Sequence, residues 1–185
     1  MAFVAGLAKI SPIFIFRWLA IVYIEVFRGT SALVQLFWIF FVLPQFGISI
    51  SPIAAGILGL GLNFGSYGAE IVRGSIQSIP KGQREAAIAL NLSPFKTFYR
   101  IILPQAFLRM LPPFGNILIE LLKNTALVSL ITLSDLTFRA QILRDDTLRV
   151  TEIFSLVLVI YFLLALIITG IIRTLEWSMS AGRTK

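Results

Sequence analysis

The sequence predicts an all-α polytopic membrane protein, one bundle of transmembrane helices formed by residues 1–185. Three observations carry this prediction. Hydrophobic residues make up 57% of the chain and charged ones 14%, against about 25% charged in ordinary soluble domains, and the mean hydropathy is +0.90. Apolar runs of spanning length recur, the clearest from Phe154 to Ile172, which holds no charge. The basic residues gather between these runs, as they do in the short loops that orient a membrane protein.

Met1 to Ile10 is apolar but too short to span, and it lacks the basic start of a signal peptide. Ser11 to Gly29 carries Arg17, Glu25 and Arg28 around an apolar body and reads as an amphipathic interfacial lead into the membrane. Its last residues join the apolar stretch Thr30 to Leu43, where Gln35 is the exception, in a first span over residues 22–43. Glu25 and Arg28, three apart, are expected to form a salt bridge rather than a ligand site. Pro44 to Pro52 is an uncharged turn. The second span, 53–73, carries Ala55, Gly59, Gly61 and Gly65, small residues that allow close helix packing in lipid. On that span Asn63 and Glu70 are seven apart and nearly share a face; polar groups at membrane depth face protein or a water-filled path.

Residues 81–105, KGQREAAIALNLSPFKTFYRIILPQ, form the longest polar interruption. Gln83 to Leu90 favours helix. Asn91 tolerates the left-handed conformation that ends helices, Ser93 offers an N-cap oxygen and Pro94 suits the first helical position. A second helix is expected from Pro94 to about Leu103, with Phe95, Phe98, Tyr99 and Ile102 on one face. The third span, 104–122, must be broken or kinked at Pro112–Pro113, and its Asn116, Glu120 and Lys123 share a face. Thr132 to Asp135 starts a short helix over Leu136 to Leu148, with Ser134 as its cap. The last span is 153–172.

These stretches resemble a family. Glu85-Ala86-Ala87, the turn at Asn91 and Ile101-x-Leu103-Pro104 are similar to the EAA loop of ABC importer permeases. The family pattern has Gly where this chain has Asn91, a mild departure because both accept the left-handed conformation. Glu25-Val26-Phe27-Arg28-Gly29-Thr30, Ala69 to Gly74 and Lys123-Asn124-Thr125 resemble the polar amino-acid uptake branch; Phe27 to Trp38 also resembles permeases for ectoine-type compatible solutes. The resemblance implies that hairpin 81–105 fits a cleft in a separate ATPase subunit, with Glu85, Ala86, Ala87, Asn91, Phe95, Phe98 and Tyr99 as coupling residues. It implies further partners: a second permease subunit, homologous or identical, and a soluble solute-binding protein. The family also carries a spanning helix before this point, so the chain is expected to be shortened at its start, or else a four-helix variant.

With the hairpin placed in the cytoplasm, residues 9–28, 73–109 and 173–185 lie inside and hold 12 of the 16 Lys and Arg residues, as the positive-inside rule requires. The predicted location is the bacterial cytoplasmic membrane. The net charge of +7 reflects this orientation and not nucleic-acid binding. No G-x-x-x-x-G-K-[ST] occurs, so ATP and magnesium are expected on the partner and no cofactor in this chain. Without Cys or His, thiolate, His-triad and His-metal chemistry are excluded. Glu85 is expected to pair with a cation or cap backbone; no catalytic residue is expected. Asn63, Glu70, Asn116, Glu120 and Lys123 are the candidate translocation path, against a purely structural role in satisfying kinked backbone. Two other classes remain: an ion-coupled secondary transporter, which inverted repeats would favour, and a membrane enzyme, for which only carboxylates are left.

Overall fold

The computed structural model describes residues 1–180, and among them there is no strand. The helices are α1 (Ala2–Lys9), α2 (Phe14–Arg28), α3 (Ala32–Phe37), α4 (Pro52–Gln77), α5 (Lys81–Ala89), α6 (Pro94–Thr97), α7 (Leu103–Asn124), α8 (Leu136–Thr147) and α9 (Val150–Ser180). Arg183 and Lys185, counted among the basic residues of the inner zone 173–185, lie outside the described residues.

α4 is the axis of the bundle. Its N-terminus is set by Ser51, whose Oγ accepts from the Ala54 N–H at 3.4 Å, with Pro52 in the first turn. It is about 39 Å long at 1.5 Å per residue, and α1, α2, α3 and α7 all pack on it. That enclosure explains its composition: a helix surrounded by others needs small residues for close approach more than lipid-facing bulk. Gly6 of α1 shows how close, since a Cβ there would sit 2.6 Å from the Ala69 carbonyl oxygen. The small residues divide by role. Gly59 meets Leu36 and Gly65 meets the Tyr23 hydroxyl, whereas Gly61 faces open space.

The core has two apolar layers. One holds Leu36, Ala55, Leu60, Phe64, Val128 and Ile131; the other holds Val72, Ile76, Ile79, Ile102, Ala106 and Met110. Asn63 and Ser66, both buried, and the half-buried Glu70 lie along α4 between or beside them.

Two continuous helical segments among the described residues are long and apolar enough to cross a membrane, Pro94–Ile131 and Val150–Met179. They contain the expected spans 104–122 and 153–172. The expected span 22–43 is not one helix: Phe14–Arg28 and Ala32–Phe46 meet at 101°. Gly29-Thr30-Ser31 makes the break. Gln35 satisfies it, donating from Nε2 to the carbonyls of Phe27 (3.0 Å) and Thr30 (3.3 Å) and to the Thr30 hydroxyl. The buried Asn63 Nδ2 adds a bond to the Phe27 carbonyl at 2.8 Å and one to Gln35 Oε1 at 3.1 Å.

The expected second hairpin helix does not end near Leu103. α6 runs into α7 through a π turn over residues 98–102, closed by the Leu103 N–H on the Phe98 carbonyl. A second π turn, 38–42, is closed by the Leu43 N–H on the Trp38 carbonyl. Both precede Leu-Pro-Gln, at 43–45 and 103–105. A proline ring clashes with the carbonyl four residues back, and one widened turn relieves that clash without ending the helix. α7 likewise continues through Pro112–Pro113 as one helix, so the expected break or kink is not a break. The cap of α8 is Asp135, not Ser134: its Oδ1 accepts from the Phe138 N–H at 2.8 Å.

Candidate functional site

The hairpin is built by local chemistry. α5 closes in a Schellman motif: the Asn91 N–H bonds the Ile88 carbonyl at 2.8 Å and the Leu92 N–H bonds the Ala87 carbonyl at 3.0 Å. Asn91 takes φ +54°, the left-handed conformation expected of it. Ser93 caps the next helix, accepting from the Lys96 N–H at 3.5 Å, and Pro94 follows. Within the hairpin Gln105 Nε2 donates to Gln83 Oε1 at 3.1 Å, and at its base Arg109 Nη1 of α7 donates to the Ser78 carbonyl at the end of α4 at 2.6 Å.

The expected aromatic face is split. Phe98 is half-buried and packs with the buried Ile102 in the inner apolar layer. Phe95 and Tyr99 are 75% and 62% exposed, with rings stacked 6.0 Å apart. The four residues span about 100° of helix surface, and the edge of the core runs through that arc. Ala87 is fully buried, while Ala86 and Glu85 are exposed. The expectation that Glu85 pairs with a cation or caps backbone is overturned. Among the described residues it makes neither an ion pair nor a side-chain hydrogen bond. Ile88 and Leu90, not singled out in the sequence, are 73% and 72% exposed. The available signal was their place beside Ala87 on a helix with a single small inward residue. The hairpin thus presents four large apolar side chains and a net charge of +3 (Lys81, Arg84, Lys96 and Arg100 against Glu85). Exposed apolar patches of this kind mark contact surfaces.

The candidate path residues fall in two places. Asn63 is committed to the helix break. Glu70 is held on both oxygens, by Lys9 Nζ at 2.6 Å and by Arg73 Nη2 at 2.7 Å and Nε at 2.9 Å. Asn116, Glu120 and Lys123 lie exposed on α7, without ion pairs among the described residues. The predicted Glu25–Arg28 bridge does not form. Glu25 instead lies 3.4 Å from Lys9, and the Arg28 guanidinium lies 5.4 Å from the centre of the Tyr67 ring.

A helical bundle with segments able to cross a membrane and a capped hairpin that exposes four large apolar side chains fits the membrane component of a transport machine. Over residues 1–180 the chain matches the family of binding-protein-dependent transport system inner membrane components, and it belongs to that family as an ABC transporter permease. A probable amino-acid ABC transporter permease of Sinorhizobium fredii is 47% identical over 98% of this chain and 79% of the relative. The glutamine transport system permease of Escherichia coli is 41% identical, over 95% of this chain and 81% of its own length. A crystal structure of an amino acid ABC transporter with histidines superposes at a TM-score of 0.88 with 39% identity, over 93% of this chain and 80% of that one. The MetNI methionine ABC transporter in an inward-facing form shares the fold, at 20% identity and TM-score 0.74, over 95% and 84% of the two chains.

Proposed function

We propose that this chain is the permease subunit of an ABC importer for a polar amino acid in the bacterial cytoplasmic membrane. The importer is energised by separate ATPase subunits, which bind ATP and magnesium, and is fed by a soluble binding protein. The observation that carries the energising step is the hairpin 81–105. It exposes Ile88, Leu90, Phe95 and Tyr99 next to the unpartnered Glu85, on a turn fixed by the bonds at Asn91. A buried aromatic anchor commonly dominates an interface, so Phe95 and Tyr99 are the anchors, Glu85 and Ala86 the flanking contacts, and Ala87 and Phe98 the residues that seat the hairpin on the bundle. The amino-acid class rests on the relatives named above. One copy has two, or up to three, segments able to span among the described residues, too few to enclose a path, so a second permease copy or homologue completes it, with the exposed Asn116, Glu120 and Lys123 face turned inward, since polar groups at depth avoid lipid.

The test is reconstitution. Proteoliposomes holding the permease, its ATPase and the matched binding protein should accumulate a polar amino acid only with ATP. Accumulation driven by an ion gradient without ATP would refute the reading, and a binding protein that takes only a sugar or metal ion would refute the substrate class. A cysteine at Ser93, in a chain with no native Cys, should resist impermeant reagents added outside intact cells.

A further inference from the structure

The first hairpin helix stands off the bundle. α5 buries one residue, Ala87, and between it and the end of α4 lies a cavity of about 650 Å³. That volume falls in the range of about 300–1,000 Å³ common to small-molecule sites. Its apolar walls include Ile10 and Pro12 from the α1–α2 corner, Ile76 of α4, Ile88 and Leu92 of the hairpin, and Phe98. Ile76 is buried whereas Pro12 and Ile88 are exposed, so the cavity opens at the surface. Its polar lining is Gln77, Arg84 and Thr97. Two of these are committed: Gln77 Oε1 accepts from Arg73 Nη1 at 2.6 Å, and the Thr97 hydroxyl donates to the Ser93 carbonyl at 3.1 Å. Arg84 is not. Among the described residues its guanidinium makes no ion pair and no hydrogen bond. The walls favour an apolar occupant, since wetting them is unfavourable, and the free guanidinium favours an anion.

The surroundings say where such an amphiphile comes from. Ile13, Phe14, Ile15, Phe16 and Trp18 follow directly on Pro12, and each is more than half exposed. In a membrane protein this apolar belt faces lipid, and Trp is enriched at the level of the headgroups. Lys81, Lys96 and Arg100 stand on the same hairpin, and basic groups beside the cytoplasmic leaflet attract anionic lipid. We propose that the cavity holds an acyl chain of an anionic phospholipid, with the lipid phosphate on Arg84. The chain fills the apolar space, and the guanidinium makes a charge-assisted pair with the phosphate. The bound lipid props α5 against α4 and supplies packing that Ala87 alone does not. This site depends on the bundle lying in a membrane, not on which solute crosses it.

The experiment uses the purified permease–ATPase complex in neutral detergent. Phosphatidylglycerol and phosphatidylcholine with the same acyl chains are offered together, and native mass spectrometry counts what stays bound. Wild type should retain phosphatidylglycerol over phosphatidylcholine by about fivefold or more, the worth of one basic contact at a membrane surface. Arg84→Gln should bring the two lipids within about twofold of each other. Lys96→Gln, on the hairpin but outside the cavity lining, should keep the wild-type preference. Leu92→Trp, which fills the cavity, should lower retention of both lipids. Glycerol phosphate, a headgroup without chains, should not displace the bound lipid; displacement would reduce the site to an anion contact and overturn the proposal. Equal retention of the two lipids by wild type, or equal loss of preference in Arg84→Gln and Lys96→Gln, also overturns it. So does a wild-type complex that retains neither lipid, which leaves the cavity to the ATPase. Should Leu92→Trp fail to assemble, the contrast between Arg84→Gln and Lys96→Gln decides.

Discussion

Replacing Asn91 by valine should uncouple the hairpin from the ATPase while leaving the membrane bundle in place. At φ +54° Asn91 occupies the left-handed region, which costs an L-residue roughly 1–2 kcal/mol and is a rarer outlier still for a β-branched one. Valine has two routes. It can stay and take that strain, or it can leave and surrender the Schellman bonds at 2.8 and 3.0 Å, each worth about 0.5–1.5 kcal/mol net. Either route costs about 1–3 kcal/mol, roughly a 5- to 150-fold shift against the closed hairpin. The cost stays local, because α5 is exposed except at Ala87 and opens without disturbing the buried layers. Asn91→Gly meets no such strain and should behave as wild type. The assays are co-purification of the ATPase and hydrogen exchange over residues 81–105, beside ATPase activity stimulated by loaded binding protein. Full stimulated activity and unchanged exchange in Asn91→Val would refute the reasoning.

Glu85→Lys should leave thermal stability within about 0.5 kcal/mol, since the side chain is exposed and unpartnered, yet abolish ATPase stimulation; a lowered melting temperature with intact stimulation would reverse that assignment. Gly6→Ala should destabilise the detergent-purified protein by about 1–3 kcal/mol through overpacking against Ala69 and Val72, whereas Gly61→Ala, with open space around it, should be neutral or stabilising by up to about 1 kcal/mol; equal melting temperatures would refute the contrast. Asn63→Asp removes the donor to the Phe27 carbonyl and to Gln35 and should cost about 1–3 kcal/mol, read as a lower thermal midpoint and faster exchange around residues 27–35.

What was legible in the sequence was what short-range chemistry decides. The left-handed residue and the Ser-Pro cap each need only their neighbours, so Asn91 and Ser93 came out as read. The misreadings arose where a local signal has two outcomes. Pro104 reads as a helix start and Pro44 as the start of a turn, but before each a π turn absorbs the clash and the helix runs past the proline. Gly29 and Ser31 carried a stop-and-start signal that the apolar run of 22–43 concealed; Gln35 and, 36 residues from Phe27, Asn63 secure the break. The Glu25–Arg28 pair failed for a related reason: spacing says which groups are near, and Lys9 and Tyr67 decided which way they turned.

The unbroken run from Pro94 to Ile131 makes the hairpin's second arm and the membrane helix one rod. At about 1.5 Å per residue its 38 residues reach roughly 57 Å. A rod of that length is a lever. Turning it by about 10° at the Phe95 end displaces the Ile131 end by roughly 10 Å over that length. Its stiffness is lowest at Pro112–Pro113, where two consecutive backbone donors are missing. That pair sits close to the midpoint of the rod, where the bending moment of a beam loaded at both ends is greatest.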